Sequence, residues 1–411
     1  MSKWKSVALS EVCQIKPPKK ESKEQLIETD LVSFVPMKNL GICSKSFELS
    51  EERALGEVYS GYTYFADNDV LLAKITPCFE NGKLGIANEL INGIGFGSSE
   101  YIVFRVNDEL DAEYLFYFLS QNSFRATGAK VMTGAVGHKR VPKEFIENYQ
   151  LPLPPLPEQK RIVAILDETF AGISLAAANA EKNLANAREL FESYLNNVFT
   201  QKNDEWKGKN LEDIADFKNG LNFSKISKGE KIHIVGVKDF KSNYWVPLDE
   251  LDTIQIDGVL AETYLLKTDD ILTVRSNGNK RLIGRCILTG EVTEKMSHSG
   301  FTIRIRLHSS DILPSYLTHY LKSDVVREIL VESGGGANIS SLNQKTLSKV
   351  LVYFPSKSEQ NRIVANIEAF QNKVAQLETI YQQKLTALNE LKQSILQKAF
   401  TGQLTKGFDN G

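Results

Sequence analysis

The sequence predicts an α+β protein: two duplicated α/β domains separated by two long helices that form an intramolecular antiparallel coiled coil, with pseudo-two-fold symmetry. Three observations lead there. The chain repeats itself: Glu158-Gln159-Lys160-Arg161-Ile162-Val163-Ala164 returns as Glu359-Gln360-Asn361-Arg362-Ile363-Val364-Ala365, and Trp4-Lys5, Asp69-Val70-Leu71-Leu72, Tyr114-Leu115, Gly134-Ala135 and Phe199-Thr200 return as Trp206-Lys207, Asp270-Ile271-Leu272-Thr273, Tyr316-Leu317, Gly336-Ala337 and Phe400-Thr401, always 201 or 202 residues later. That period is far longer than a solenoid unit, so one module has been duplicated. Each copy mixes strand-like runs with short helices, and each is followed by a long stretch with heptad patterning. The expected divisions are a first domain at 1–152, a first long helix at 153–203, a second domain at 204–354, and a second long helix with a tail at 355–411.

In the first domain Val70-Leu71-Leu72 and Ile102-Val103-Phe104 read as strands and Asp111 to Ser120 as a short helix. In the second, Ile271 to Val274 and Phe301 to Leu307 read as strands. Pro157 suits the first turn of the first long helix, where a missing N–H costs nothing, and Glu158 lies at the positive end of its dipole. Ser356-x-x-Glu359 is a capping box for the second, and Gly402 is placed to end it. The first helix has a seam through Leu166, Phe170, Ile173, Ala177, Leu184 and Phe191. The second has one through Ile367, Phe370, Val374, Leu377 and Tyr381. At 1.5 Å per residue, a helix of roughly 40 residues spans about 60 Å. The first helix leaves the first domain and the second can return from the second domain, so the pairing is antiparallel and the rod acts as a ruler between two heads.

The 411 residues carry 42% hydrophobic and 24% charged residues, ordinary for a globular protein. No apolar run approaches the ~18 residues of a membrane span, and Met1 to Ser10 lacks the apolar core of a signal peptide. The expectation is a cytoplasmic protein with no membrane partner. Cys13, Cys43, Cys78 and Cys286 are scattered, and the five histidines show no metal-ligand spacing, so no metal is expected. A formal net charge of −2 argues against simple nucleic-acid binding. Any DNA role then rests on local patches or on phosphate contacts shared with a partner.

No catalytic constellation emerges. Gly93-Ile94-Gly95-Phe96-Gly97-Ser98 lacks a third glycine in register and reads as a loop, Gly334-Gly335-Gly336 has no following Lys-Ser or Lys-Thr, and His298-Ser299-Gly300 is no nucleophile elbow. Neither Pro17-Pro18 nor Pro154-Pro155 forms the Asn/Asp-Pro-Pro-Tyr/Phe motif of amino-methylating DNA enzymes. No catalytic residue is expected.

The segment Leu151-Pro152-Leu153-Pro154-Pro155-Leu156-Pro157-Glu158-Gln159-Lys160-Arg161-Ile162-Val163 resembles the signature of type I restriction–modification DNA specificity subunits, as does Phe354-Pro355-Ser356-Lys357-Ser358-Glu359-Gln360-Asn361-Arg362-Ile363-Val364, which lacks the proline-rich lead. Asp270 to Gly278 is similar to a strand-and-loop motif of that family's target recognition domains, and Ala399-Phe400-Thr401-Gly402-Gln403-Leu404 is similarly typical. The domain–helix–domain–helix order matches over nearly the whole chain. The resemblance implies a non-catalytic, sequence-specific subunit that reads a bipartite, asymmetric site in double-stranded DNA. It implies two methyltransferase subunits carrying S-adenosylmethionine and two restriction subunits using ATP and Mg, with no cofactor on this chain.

Base reading favours Arg and Lys toward guanine, and Asn and Gln toward adenine. Two loops per domain are rich in such residues. The candidates for DNA contact are Lys74, Thr76, Asn81 and Lys83, then His138, Lys139 and Arg140, in the first domain, and Arg275, Ser276, Asn277, Asn279, Lys280, Arg281 and Asn338 in the second. Such clusters also serve as plain solvated turns. Phe79, Tyr244 and Trp245 suit stacking on bases or core packing. Two other functions stay open: a coiled-coil scaffold whose heads bind protein, and a fragment of a methyltransferase or nuclease.

Overall fold

The computed structural model describes residues 4–201, 205–223, 227–241, 243–332 and 340–405. The chain forms two compact units, 1–180 with 383–411, and 181–382. The cut falls inside both long helices, Leu156–Thr200 and Lys357–Phe400, because the two ends of each helix belong to different cores. The sequence divisions, drawn at helix starts, do not anticipate this.

In the first unit a four-stranded antiparallel sheet runs in the order Cys13–Ile15, Tyr101–Val106, Val70–Ala73, Leu84–Ile86. In the second the order is Ala215–Asn219, Thr302–Leu307, Ile271–Val274, Cys286–Leu288. Each unit adds a sheet with one parallel pair: Leu31–Val35 beside Ile94–Gly97, and Lys231–Val235 beside Met296–His298. Each also pairs the first strand of its domain with the strand that leads into the long helix, Lys5–Ala8 with Gln150–Leu153 and Lys207–Asn210 with Leu351–Phe354. The copies differ at one edge: the strand Thr63–Ala66 of the first is replaced by a helical turn at Glu262–Tyr264. The glycine-rich 93–98 segment is a buried strand, not a loop. A Cβ at Gly95 would meet the Phe65 ring at 2.1 Å, so glycine here serves close packing.

The repeated motifs mark the joints of the fold. Gln159 is fully buried; its amide donates to the carbonyls of Glu109 and Pro154 (both 2.8 Å) and its Oε1 accepts the Asp111 N–H at 2.8 Å. Gln360 repeats this on Asp311 (2.8 Å), Pro355 (2.9 Å) and the Leu313 N–H (2.8 Å). One side chain thus fastens the start of a long helix to the loop before a short helix, Ala112–Leu119 or Pro314–Lys322. Asp111 caps the first of these by accepting the N–H groups of Glu113 and Tyr114. The repeated aspartates have a similar part. Asp69, 1% exposed, takes a bidentate contact from Arg105 (2.8 and 2.7 Å) and the Ala66 N–H, and Asp270 takes one from Arg306 (2.6 and 2.6 Å) and the Lys267 N–H.

The far ends of the helices are held by aromatic rings. Phe400 packs on Tyr114 and Phe118 in the first unit (centroids 5.0 and 5.3 Å); Phe199 packs on Tyr316 and Tyr320 in the second (5.5 and 5.3 Å). Beyond Phe400, the N–H groups of Gly402 and Gln403 return to the carbonyls of Ala399 and Lys398, and Gly402 has φ +71°, so glycine ends the helix as expected. At the other end Ser356 Oγ accepts the Glu359 N–H at 3.4 Å, but Glu359 turns to Arg362, leaving the box half made.

Within each unit the start of one long helix packs beside the end of the other, as an antiparallel pair. In the first, Leu166 and Phe170 are buried with Leu396, Ala399 and Phe400, and Ile173 packs at the edge. In the second, Phe191 stacks on Phe370 at 6.4 Å, Arg188 pairs with Glu378 at 2.6 Å, and Val374 and Ile367 are buried. Ala177, Leu184 and Tyr381 are half-buried. Leu377 departs from the expected seam: it is 40% exposed, because a step of four from Val374 turns Glu378 inward instead. The expectation about apolar runs also needs correction. By length and composition alone, Leu156–Thr200 passes for a helix able to cross a membrane. Its Asp167, however, binds Lys45 (2.5 Å) and the Tyr117 hydroxyl, so part of it is committed to the first domain.

Two predictions follow from this packing. Gln360→Ala strands two carbonyls and an N–H, and should cost about 1–3 kcal/mol in urea unfolding; a change below about 0.5 kcal/mol would show that water replaces the amide without loss. Burial pushes the pKa values of His298 and His319 down to about 3, against roughly 6.5 in the unfolded chain. Between these values the unfolded state holds more protons, so stability falls as pH drops from ~6.5 toward ~3, by up to about 1.4 kcal/mol per pH unit for each histidine. His319→Gln should flatten that slope; an unchanged slope would contradict the assignment.

Candidate nucleic-acid interface

In each domain the strand ending at Ala73 or Val274 runs into a loop stitched to a second loop by backbone hydrogen bonds. In the first domain Ile75 bridges to Arg140, Thr76 N–H donates to the Lys139 carbonyl at 2.9 Å, and Val141 N–H donates to the Lys74 carbonyl at 3.0 Å. Thr133 and Arg140 exchange two bonds, closing a small hairpin over residues 134–139. This brings Lys74, Thr76, His138, Lys139 and Arg140 to one surface, with the last three exposed.

The charges here are arranged rather than scattered. Arg140 donates through Nε and Nη2 to the two oxygens of Glu100 (2.9 and 2.7 Å), and through Nη1 to the His138 carbonyl at 3.2 Å. Lys74 lies 3.9 Å from Glu100 and donates to the Ser99 carbonyl. Arg140 holds the Glu100 carboxyl below the usual carboxylate range, while burial lowers the pKa of Lys74. Lys83 leaves this group. Its ammonium donates to the carbonyls of Met37 (2.6 Å), Lys38 (3.3 Å) and Leu40 (2.9 Å), so it ties loops together and offers no free cation. Asn81 opens instead onto a cavity that Asn122, Arg125 and Asp167 also line.

In the second domain Ser276–Asn277 pairs with Ser340–Ser341. Asn277 and Asn279 spend their side-chain oxygens shaping the loop, accepting the N–H groups of Asn279 (2.8 Å) and Arg281 (3.1 Å). That leaves Asn279, Lys280 and Arg281 exposed, with Arg275 half-buried against the Gly300 carbonyl. Asn338 lies outside the described residues. Phe79 is fully buried and Tyr244 donates to the Ser315 carbonyl, so both belong to the core, whereas Trp245 is half exposed.

Three apolar side chains at these loops escape sequence reasoning. Val136 stands 94% exposed at the hairpin tip, and Phe223 and Phe301 are 44% and 63% exposed beside the 276–278 loop. Phe301 reads as the first residue of an alternating strand, but the strand starts at Thr302. Nothing in the local pattern separates it from a core phenylalanine. Among the described residues no group of three His, Cys, Asp or Glu is placed to hold a metal ion, and all four cysteines are free.

The paired loops sit on a scaffold shared with known proteins. The family model for the type I restriction modification DNA specificity domain matches residues 1–184 and again 203–387. The chain is 28% identical to the type I restriction enzyme EcoEI specificity subunit of Escherichia coli, over 89% of this chain and 77% of that one. It is 33% identical to the EcoAI specificity subunit of the same species, over 52% of this chain and 36% of that one. Among solved structures, a chain from a study of complex assembly in a type I restriction–modification system superposes with a TM-score of 0.78 at 21% identity, covering 98% of both chains. The HsdS subunit of Thermoanaerobacter tengcongensis superposes with a TM-score of 0.61 at 20% identity, over 98% of this chain and 97% of that one. These superpositions establish the shared fold, and the two family matches establish the lineage: the chain belongs to the type I restriction–modification DNA specificity family and carries its domain twice.

Proposed function

We propose that this specificity subunit reads a bipartite, asymmetric DNA sequence, one half with each domain, and that the long helices set the unread spacer between the halves. One observation carries the reading. The scaffold is duplicated almost strand for strand, yet corresponding places carry different side chains, Lys74, Glu100 and Arg140 in one copy and Arg275, Phe301 and Ser341 in the other. A conserved frame with divergent tips suits two readings of different sequence by one mode. The relatives are named as specificity subunits of type I restriction enzymes, which supports a shared role.

In this reading two methyltransferase subunits bind the chain, carry S-adenosylmethionine and methylate adenine, one in each half-site. Two restriction subunits using ATP and Mg join for cleavage, and the assembly works in the cytoplasm. The partners supply part of the phosphate grip, which suits a formal net charge of −2. Exposed Lys280 and Arg281 contribute locally, positioning the domain through phosphates.

The test is modified-base sequencing of DNA from cells producing the chain with its methyltransferase partner, beside a strain lacking only this chain. The expected result is a two-part methyladenine motif that vanishes in the control. A methylation pattern indifferent to the chain, with the partner active, would favour the protein-binding scaffold. In the assembled methyltransferase, Lys280→Glu with Arg281→Glu should weaken DNA binding and reduce the salt slope by about one to two units; an unchanged slope would remove these residues from the interface.

A further inference from the structure

The backbone equivalence of the two domains identifies one position where their chemistry is opposed. Lys74 N–H donates to the Glu100 carbonyl at 2.9 Å; Arg275 N–H donates to the Phe301 carbonyl at 2.8 Å. Val141 N–H meets the Lys74 carbonyl at 3.0 Å; Leu342 N–H meets the Arg275 carbonyl at 2.7 Å. Ile75 pairs with Arg140, and Ser276 pairs with Ser341. Each correspondence is a shift of 201 residues, so Glu100, Arg140 and Lys74 occupy the places of Phe301, Ser341 and Arg275.

In the first domain this place is ionic. Glu100 takes the Nε and Nη2 side of Arg140, which fixes the guanidinium plane, and the arginine side chain remains 47% exposed. Nη1 also donates to the His138 carbonyl, which leaves one hydrogen on Nη1 and one on Nη2 outside these contacts, enough for a two-hydrogen fork toward a ligand. Such a fork matches O6 and N7 of guanine in the major groove. In the second domain Arg275 turns its guanidinium to the Gly300 carbonyl (3.4 Å), and the places of Glu100 and Arg140 are uncharged. Serine replaces the arginine, and Phe301 stands 63% exposed, with Phe223 also exposed in the same cleft beside Ser276, Asn277 and Gly278. Two phenylalanines left in water form an apolar contact in this cleft, whose charged lining, Lys238 and Asp252, is paired with itself at 2.6 Å. The base feature that fits it is the thymine methyl group.

Resting on the reading given under Proposed function, we infer that this position reads a base pair in both half-sites: Arg140, positioned by Glu100, selects a G·C pair in one, and Phe301 selects an A·T pair through the thymine methyl in the other.

The test uses the chain assembled with its methyltransferase. Modified-base sequencing defines the motif of the wild type and of three variants, Phe301→Ala, Arg140→Ala and Glu100→Gln. Phe301→Ala should relax one A·T position in one half-site and leave the other half unchanged. Arg140→Ala should relax one G·C position in the opposite half by about 5- to 150-fold, and Glu100→Gln should relax the same position less. In binding assays, uracil in place of thymine at the position relaxed by Phe301→Ala should weaken the wild type about four-fold, the worth of one buried methyl, and should leave Phe301→Ala unaffected. Because Phe301 is exposed, its variant should keep the wild-type melting temperature. A motif that stays fully specified in Phe301→Ala and Arg140→Ala, or both variants relaxing the same half, would overturn the inference while leaving the two-domain reading standing. Absence of any two-part motif in the wild type would overturn both.

Discussion

The fold depends on how each long helix is fastened at both ends. Its start is held on the domain that precedes it by one buried glutamine, Gln159 or Gln360, and its end is held on the other domain by one phenylalanine, Phe199 or Phe400. Each unit therefore needs residues from two distant parts of the chain. The glutamine is well suited to its place. An amide both donates and accepts, so one side chain satisfies two carbonyls and an N–H that a helix start would otherwise leave buried without partners. The aromatic end needs no such pairing and contributes by burial against two tyrosines or a tyrosine and a phenylalanine.

This explains which parts of the repeat persist and which diverge. The matching motifs are structural: the glutamines fasten helices, Asp69 and Asp270 receive arginines from the neighbouring strand, and Tyr114 and Tyr316 donate to carbonyls of the strand before the long helix. At the ends of the candidate loops the described backbone hydrogen bonds match, while Glu100 and Arg140 of one copy stand where the other has Phe301 and Ser341. Difference in side chain between the copies is thus concentrated where burial imposes the least constraint.

Much of this was legible in the sequence. The duplication, the long helices, their antiparallel pairing, the Gly402 stop and the strands expected at 70–72, 102–104, 271–274 and 301–307, the last starting one residue later in the structure, all follow from repeat and periodicity. The failures have identifiable physical causes. Heptad spacing counts apolar residues and so places Leu377 in the seam, whereas the structure turns Glu378 inward through its pair with Arg188. Glycines usually signal turns, which makes 93–98 look like a loop; here they let the strand Ile94–Gly97 lie against Phe65. Lys83 looks like its neighbours because a lysine in a loop gives no sign that three carbonyls converge on it. Phe301 escapes notice for the opposite reason, since hydrophobic residues at strand starts are ordinarily inside.

The most direct test of the central claim, that each domain reads its own half of one DNA sequence, is to replace residues 206–352 with the matching segment of a relative of different specificity and to sequence the modified bases produced by the assembled methyltransferase. The expected motif has one half changed to that of the relative while the other half is retained. A motif changed in both halves, or in neither while the complex remains active, would contradict it.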